Sequence, residues 1–355
     1  MTNRLLGALD PDAPSFHFDL TVPSDGRKPL AMAWLALGLL ALLASGLFSV
    51  LLVLSRTPQL QTLFPVADFF RVALVVHVDL SVLVWFLAFG GALWTLSGTT
   101  RLQFLAWCAF VLSASGTATL CVAPFIDPAT PVMANYVPVL DGPVFLGGLM
   151  LFGAGITLLC LRSMLAASPV GVRISGDGAL RFGLNAAMVT TAVAVFAFGW
   201  SWVTVPRDLD ARAYYELLFW GGGHVLQFAY TLLMLIGWLW LASSLSPSLR
   251  MSPRVVTLLF AMALIAVFLT PITTTHYAIG LSLTLKAFAA AILGGLGNFR
   301  GAVLGGCVIG VVESLTAGLI SSHFKDVITF LFILILLVAL PRGLLHSLVE
   351  ERERV

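Results

Sequence analysis

Long apolar runs separated by short polar connections set the pattern of this chain. Runs at 30–54, 72–96, 103–125, 143–161, 180–202, 216–242 and 255–272 each approach the length at which a helix crosses the hydrocarbon layer. A segment in lipid must satisfy its own backbone, so these runs are predicted to be helices. A last apolar run, 326–340, ends at Pro341-Arg342-Gly343. The pattern predicts an all-α fold, a polytopic transmembrane helix bundle of about eight or nine spans without a sheet. The first 29 residues, with Arg4, Asp10, Asp12, Asp19, Asp25, Arg27 and Lys28, read as a polar tail and not as a cleavable signal.

The basic residues orient the spans. Arg162, Arg173 and Arg181 fill one connection and Arg250 and Arg254 another, whereas the 126–142 connection holds Asp127 and Asp141 with neither Lys nor Arg. A cytoplasmic amino terminus in a bacterial inner membrane follows. Arg207 and Arg212 stand against Asp208 and Asp210 in the 203–215 connection, a weaker sign of the outer side.

Composition narrows the function classes. Hydrophobic residues make up 59% of 355, charged residues 10%, and mean hydropathy is +1.01, so polar surface is too scarce for a water-soluble enzyme and membrane lipid is the solvent. Net charge is +2 and the basic residues lie singly, which leaves no continuous basic face for nucleic acid. Cys108, Cys121, Cys160 and Cys307 show no pairing or metal-ligand spacing and read as small core residues.

Beyond residue 272 the texture changes. Residues 286–318 carry glycines at 294, 295, 297, 301, 305, 306 and 310, a density that means close backbone packing or a broken helix. The chain therefore divides into a tail (1–29), a seven-span bundle (30–272) and a glycine-rich carboxyl-terminal segment with final helices (273–355). The glycine cluster is not a phosphate loop, since no Lys-Ser or Lys-Thr follows at the required spacing.

Polar groups at membrane depth are costly and mark candidate sites. His77 lies early in the second span, with Asp79 on another helix face and Ser81 one turn on, placed to hydrogen-bond the ring. His224 follows three glycines near the start of the sixth span, and His276 lies just past the seventh. Each, taken alone, is also readable as an interhelical hydrogen-bonding residue. Jointly, histidines on converging spans suggest a buried metal or heme site, because imidazole nitrogen is a common ligand of both. His17, His323 and His346 lie in the tail or near interfaces and are not candidate ligands.

Two resemblances follow from these motifs. Residues 30–270, with HVDLSVLVWFLAFGG around His77 and FWGGGHVLQF around His224, resemble subunit I of the heme-copper oxidases, in particular its divergent bacterial members. That resemblance implies a heme ligand at His77, copper ligands at His224 and His276, electron transfer to an acceptor such as dioxygen, and other oxidase subunits or an electron donor as partners. The chain departs from that pattern. It offers one histidine, His276, where the family has a pair, Phe228 where some members carry tyrosine, and no counterpart of the helix that bears two further heme ligands.

Residues 280–355, including AFAAAILGGLGNFRGAVLGG, are similar to the carboxyl-terminal end of LIV-type permeases, membrane subunits of branched-chain amino-acid ABC importers. This likeness implies coupling or packing roles for Lys286, Gly294, Gly295, Gly297 and Gly301, with an ATPase subunit and a second permease as partners. Seven spans from a cytoplasmic start leave residue 273 outside, although the coupling region belongs inside, so the chain reads as a hybrid joined near 272–280. The redox reading rests on the longer segment; the permease subunit is the alternative.

Overall fold

The computed structural model describes residues 16–60, 64, 68–127, 129–171, 174–245, 251–269, 277–294, 299–319 and 324–339. Their contacts divide the chain into two units, Met1–Leu269 and Thr270–Val355.

The first unit runs through α1 (Arg27–Arg56), α2 (Phe69–Val78), a π-helical turn (Asp79–Val84), α3 (Trp85–Ser97), α4 (Gln103–Ile126), β1 (Thr130–Val132), β2 (Val139–Asp141), α5 (Pro143–Leu165), α6 (Gly176–Thr204), α7 (Ala211–Leu245) and α8 (Pro253–Leu269). The second holds α9 (Tyr277–Gly294), α10 (Phe299–Leu319) and α11 (Lys325–Ala339). The chain is an all-α polytopic membrane bundle. Among the described residues, seven helical segments are long and apolar enough to cross a membrane, six in the first unit and Gly301–Leu319 in the second; α8, with 17 residues, is shorter. The helices overrun the apolar runs, as α6 does by starting at Gly176, because hydropathy marks the part in hydrocarbon while the helix continues into the polar layer. There, Ser175 caps α6 by accepting from the Gly178 amide, and Pro143 opens α5 where its missing N–H costs nothing.

Three expectations need correction. A sheet exists: β1 and β2 pair antiparallel, Thr130 opposite Asp141 and Val132 opposite Val139. Val139 and Leu140 are fully buried, so the hairpin supplies amide partners that the protein interior would otherwise deny this connection. The tail is not wholly polar and solvated either. Phe18 and Leu20 are buried, the Phe18 amide donates to Ser243 Oγ at 2.8 Å, and Trp240 Nε1 donates to Asp19 at 3.0 Å, which fastens residues 18–19 to the end of α7. Arg162 is not a connection residue. It lies in the last turn of α5, fully buried, and donates to the Thr99 carbonyl at 2.6 Å.

Glycine sets how closely the helices approach. A Cβ on Gly116 of α4 would overlap the Phe152 amide, and one on Gly155 of α5 would overlap Ser113, so α4 and α5 touch backbone to backbone. Between α1 and α3 the device is a ring on a glycine: Trp34 lies 2.6 Å from where a Cβ on Gly91 would be, and Trp85 lies 2.9 Å from that of Gly38. In the second unit, side chains on Gly294 or Gly301 would each overlap the other residue's backbone, and one on Gly305 would overlap the Ala290 carbonyl.

Gly116→Leu is expected to destabilise the detergent-solubilised chain by about 1–3 kcal/mol or more, because backbone atoms cannot step aside. Gly147→Leu, where an added Cβ meets nothing within 4 Å, leaves the thermal midpoint nearly unchanged. Equal midpoints for the two variants in a melting experiment would remove the close α4–α5 approach from this account.

Candidate functional site

His77 closes α2 just before the π-helical turn. Its Nδ1 lies 2.9 Å from the Ser45 carbonyl and 2.9 Å from Ser45 Oγ on α1, while Ser45 Oγ donates to the His77 carbonyl at 3.0 Å. A carbonyl only accepts, so Nδ1 carries the proton and Nε2 keeps its lone pair. Ser81 does not reach the ring as expected; its Oγ donates to the His77 carbonyl at 2.7 Å, the i−4 bond typical of a helical serine. The ring's partner comes from another helix, which spacing within the second span has no means of indicating.

The π-helical turn also places Asp79 deep in the bundle, 1% exposed, with neither carboxyl oxygen hydrogen-bonded among the described residues. Asp79 and His77 do not pair, as their helical spacing requires. Such a carboxyl is costly to bury, and π turns recur at functional positions.

His224 is held at both nitrogens. Nδ1 donates to the Trp220 carbonyl at 2.7 Å, so Nε2 accepts from the Tyr136 hydroxyl, also at 2.7 Å. The glycines before it serve this contact: a Cβ on Gly223 would overlap the Tyr136 ring, and one on Gly222 the Phe198 ring. Tyr136 sits in the hairpin loop with φ 70°, and Glu216 tethers that loop by accepting from the Asn135 amide at 2.9 Å. Burial first, and the Glu216 carboxylate second, push the Tyr136 phenol above its ordinary range, which keeps it a neutral donor.

This geometry does not fit copper at His224, because its one lone-pair nitrogen already faces Tyr136. The expected partner His276 lies outside the described residues, as do Gly295 and Gly297. No group of three His, Cys, Asp or Glu side chains able to hold a metal occurs among the described residues. At His77 the ring is oriented through Nδ1–H and Nε2 has no hydrogen bond among the described residues, the donor arrangement that an axial heme ligand would need.

Two further features emerge from packing. Arg27 and Arg162 bracket the end of α3, donating to the Gly98 and Thr99 carbonyls, where cations complement the negative end of a helix. An apolar cleft of about 600 Å³ opens between α5 and α6, floored by Leu83, Leu87 and Leu226.

In the second unit Lys286 Nζ donates to Glu313 Oε1 at 2.8 Å, with side chains 15% and 23% exposed. The pair joins α9 to α10 on the same hairpin that Gly294 and Gly301 bring into backbone contact. Of the expected set, Gly294 and Gly301 meet each other, whereas Lys286 pairs with Glu313 about two turns earlier on α9.

Comparison with known proteins bears on this segment most directly. The family described as branched-chain amino acid transport system / permease component matches residues 255–339. The high-affinity branched-chain amino acid transport system permease protein LivH of Salmonella typhimurium is 42% identical over 67 residues, covering 19% of this chain and 22% of that protein. Wider matches carry no stated function. The uncharacterized protein RP382 of Rickettsia prowazekii is 29% identical over 241 residues, 60% of this chain and 46% of that protein. An uncharacterized protein of Aquifex aeolicus is 30% identical over 210 residues, 59% of this chain and 52% of that protein. The chain thus spans about half the length of these two relatives, and the alignments are too long for the second unit alone to contain. No solved structure matches. Neither the matched family nor these relatives lends support to the oxidase resemblance of residues 30–270. The comparisons support a permease-like segment at 255–339, which begins within α8 and continues through α9, α10 and α11.

Proposed function

We propose that the chain serves in a bacterial inner membrane, amino terminus cytoplasmic, as a permease-type subunit of a branched-chain amino-acid ABC importer. The observation that carries this reading is the family match over residues 255–339. The geometry is compatible with it. A membrane subunit driven by a separate ATPase has to pass movement through its helices, and a hairpin seated backbone to backbone at Gly294 and Gly301, then tied at Lys286–Glu313, moves as one piece. The glycine cluster lacks the features of a phosphate loop, so ATP belongs to the ATPase partner, and a second permease subunit completes the pathway.

A second reading has its own observation, the orientation of His77 by Ser45. In this reading His77 holds one axial position of a heme through Nε2, and Ser45 fixes the tautomer and tilt of the ring. Bound heme supplies a reversible one-electron change at its iron.

The first reading predicts that the tagged full chain copurifies with its ATPase subunit and supports ATP-driven leucine uptake in proteoliposomes. Gly301→Leu is expected to lower uptake roughly tenfold or more, the rate equivalent of at least about 1.4 kcal/mol of overpacking. Gly318→Leu, where an added Cβ meets nothing within 4 Å, leaves uptake intact. Undiminished uptake by a folded Gly301→Leu protein would remove the hairpin from the coupling path, and absence of any ATPase partner would remove the importer reading.

The second reading predicts a heme absorbance band that His77→Ala abolishes and His224→Ala leaves largely intact. Identical spectra for wild type and His77→Ala would reduce His77 to a buried hydrogen-bonding residue.

A further inference from the structure

The apolar cleft of the first unit has a shape, depth and polar end that together select a ligand. α5 (Pro143–Leu165) and α6 (Gly176–Thr204) are consecutive in the chain, and the cleft is lined by the first half of α5 and the second half of α6. Met150, Gly153 and Thr157 of α5 form one wall, and Val195, Gly199 and Trp202 of α6 the other. Met150 is 66% exposed and Trp202 55%, both on membrane-spanning helices, so the cleft opens sideways into hydrocarbon. Thr157 and Thr191, which line it, direct their hydroxyl protons to the carbonyls of Gly153 and Ala187 at 2.7 and 2.9 Å. Of the two phenols in the lining, Tyr215 donates to Asp141 at 2.7 Å, and both Tyr214 and Tyr215 lie in the first turns of α7, so the rest of the lining is largely apolar.

The depth follows from helix geometry. Thr191 to Trp202 spans about 16 Å along α6 at a rise of about 1.5 Å per residue, roughly half of the ~30 Å hydrocarbon core. That is the thickness of one leaflet. The outer end carries a cation: the Arg207 guanidinium lies over the Trp202 ring, 5.8 Å from its centroid, beyond the end of α6. Of the acidic neighbours, Asp210 accepts from the Ala213 amide at 3.1 Å, which caps α7, and Asp141 accepts from the hydroxyl of the lining Tyr215 at 2.7 Å. Asp208 leaves the connection without net charge, so it is the position of Arg207 at the cleft mouth that favours an anion there. An apolar slot one leaflet deep with a cation at its rim matches an amphiphile with an anionic head.

We propose that this cleft binds one acyl chain of an anionic phospholipid, with the lipid phosphate at Arg207 and the chain running inward past Trp202, Gly199 and Val195. None of its lining residues is a histidine or belongs to residues 255–339, and the proposal stands whichever reading of function holds.

Two glycines make the test possible, because a Cβ added at Gly153 or Gly199 meets nothing within 4 Å, so the cleft can be filled without a clash at the backbone. The delipidated full chain in mild detergent is supplied with phosphatidylglycerol or phosphatidylcholine of identical chains, and retained lipid is counted by native mass spectrometry. Wild type is expected to retain one phosphatidylglycerol with about fivefold preference over phosphatidylcholine, as one basic residue near an anionic head provides. Gly153→Leu/Gly199→Leu is expected to lose the lipid, and Arg207→Gln to hold both lipids alike. Equal retention by wild type and the filled variant, or retention of a quinone or detergent in place of phospholipid, overturns the proposal.

Should the filled variant melt early, quenching of tryptophan emission by brominated-chain lipids gives a second readout. The share of quenching lost in Trp202→Phe is expected to be larger in phosphatidylglycerol than in phosphatidylcholine. The share lost in Trp238→Phe, whose ring is 61% exposed on α7, is expected to be the same in both. No difference between the two lipids at Trp202 overturns the proposal.

Discussion

A polar group placed at membrane depth has to find its partner within the protein, and much of this structure follows from that constraint. Hydrocarbon offers no competing hydrogen bonds, so an unmet donor or acceptor costs several kcal/mol by typical transfer values of roughly 2–7 kcal/mol. Helical threonines and serines meet the demand locally: Thr95, Thr117, Thr190 and Thr191 each donate to the carbonyl four residues back. The histidines meet it across elements, His77 through Ser45 of α1 and His224 through Tyr136 of the hairpin loop. Arg162 meets it at the end of α3, and Lys286 with Glu313. Not every group meets it: Asp79, Ser113, Ser163, the Trp34 indole and two of the Arg162 guanidinium nitrogens are buried without a hydrogen bond among the described residues.

The second organising device is the absence of a side chain. Lipid tails are as apolar as the helices, so helix association gains little from the hydrophobic effect and relies on contact. In the first unit several glycines admit rings, with Trp34 on Gly91, Phe198 on Gly222 and Tyr136 on Gly223, while Gly116 of α4 meets the Gly148 carbonyl of α5 backbone to backbone. In the second unit glycine meets glycine, Gly294 against Gly301. Ring-on-glycine contacts lock a knob into one place, while glycine-on-glycine contacts bring whole backbones together.

The two histidine sites, similar in sequence context, separate on inspection of their protons. Both rings donate through Nδ1 to a helix carbonyl, and what distinguishes them is the other nitrogen. At His224 it faces the Tyr136 hydroxyl, and the bond fastens the hairpin to α7. At His77 the lone pair is kept at Nε2. The copper expectation therefore meets a nitrogen already engaged at His224, whereas at His77 Nε2 has no hydrogen bond among the described residues. The permease reading draws on a different part of the chain, the family match at 255–339.

The sequence by itself determined the solvent, the class of fold and nearly all of the helices of the first unit, since hydropathy is a local property and a span declares itself by length and composition. It also announced close packing at Gly294 and Gly301, because few other reasons place glycines so densely in an apolar helix. Only the tertiary structure decided which partner each polar group takes. Ser81 was the local choice for the His77 ring, yet Ser45, 32 residues away, holds it. Tyr136 reaches His224 across 88 residues, and Arg162, which looked like a connection residue, is buried in the last turn of α5 and donates to the carbonyl of Thr99 beyond the end of α3. The apolar cleft belongs to the same class, since its walls read as ordinary lipid-facing residues in the sequence of either helix alone. Periodicity reports the face of one helix, whereas a binding pair or a cleft needs two, and their relative rotation is set by packing that no single segment contains.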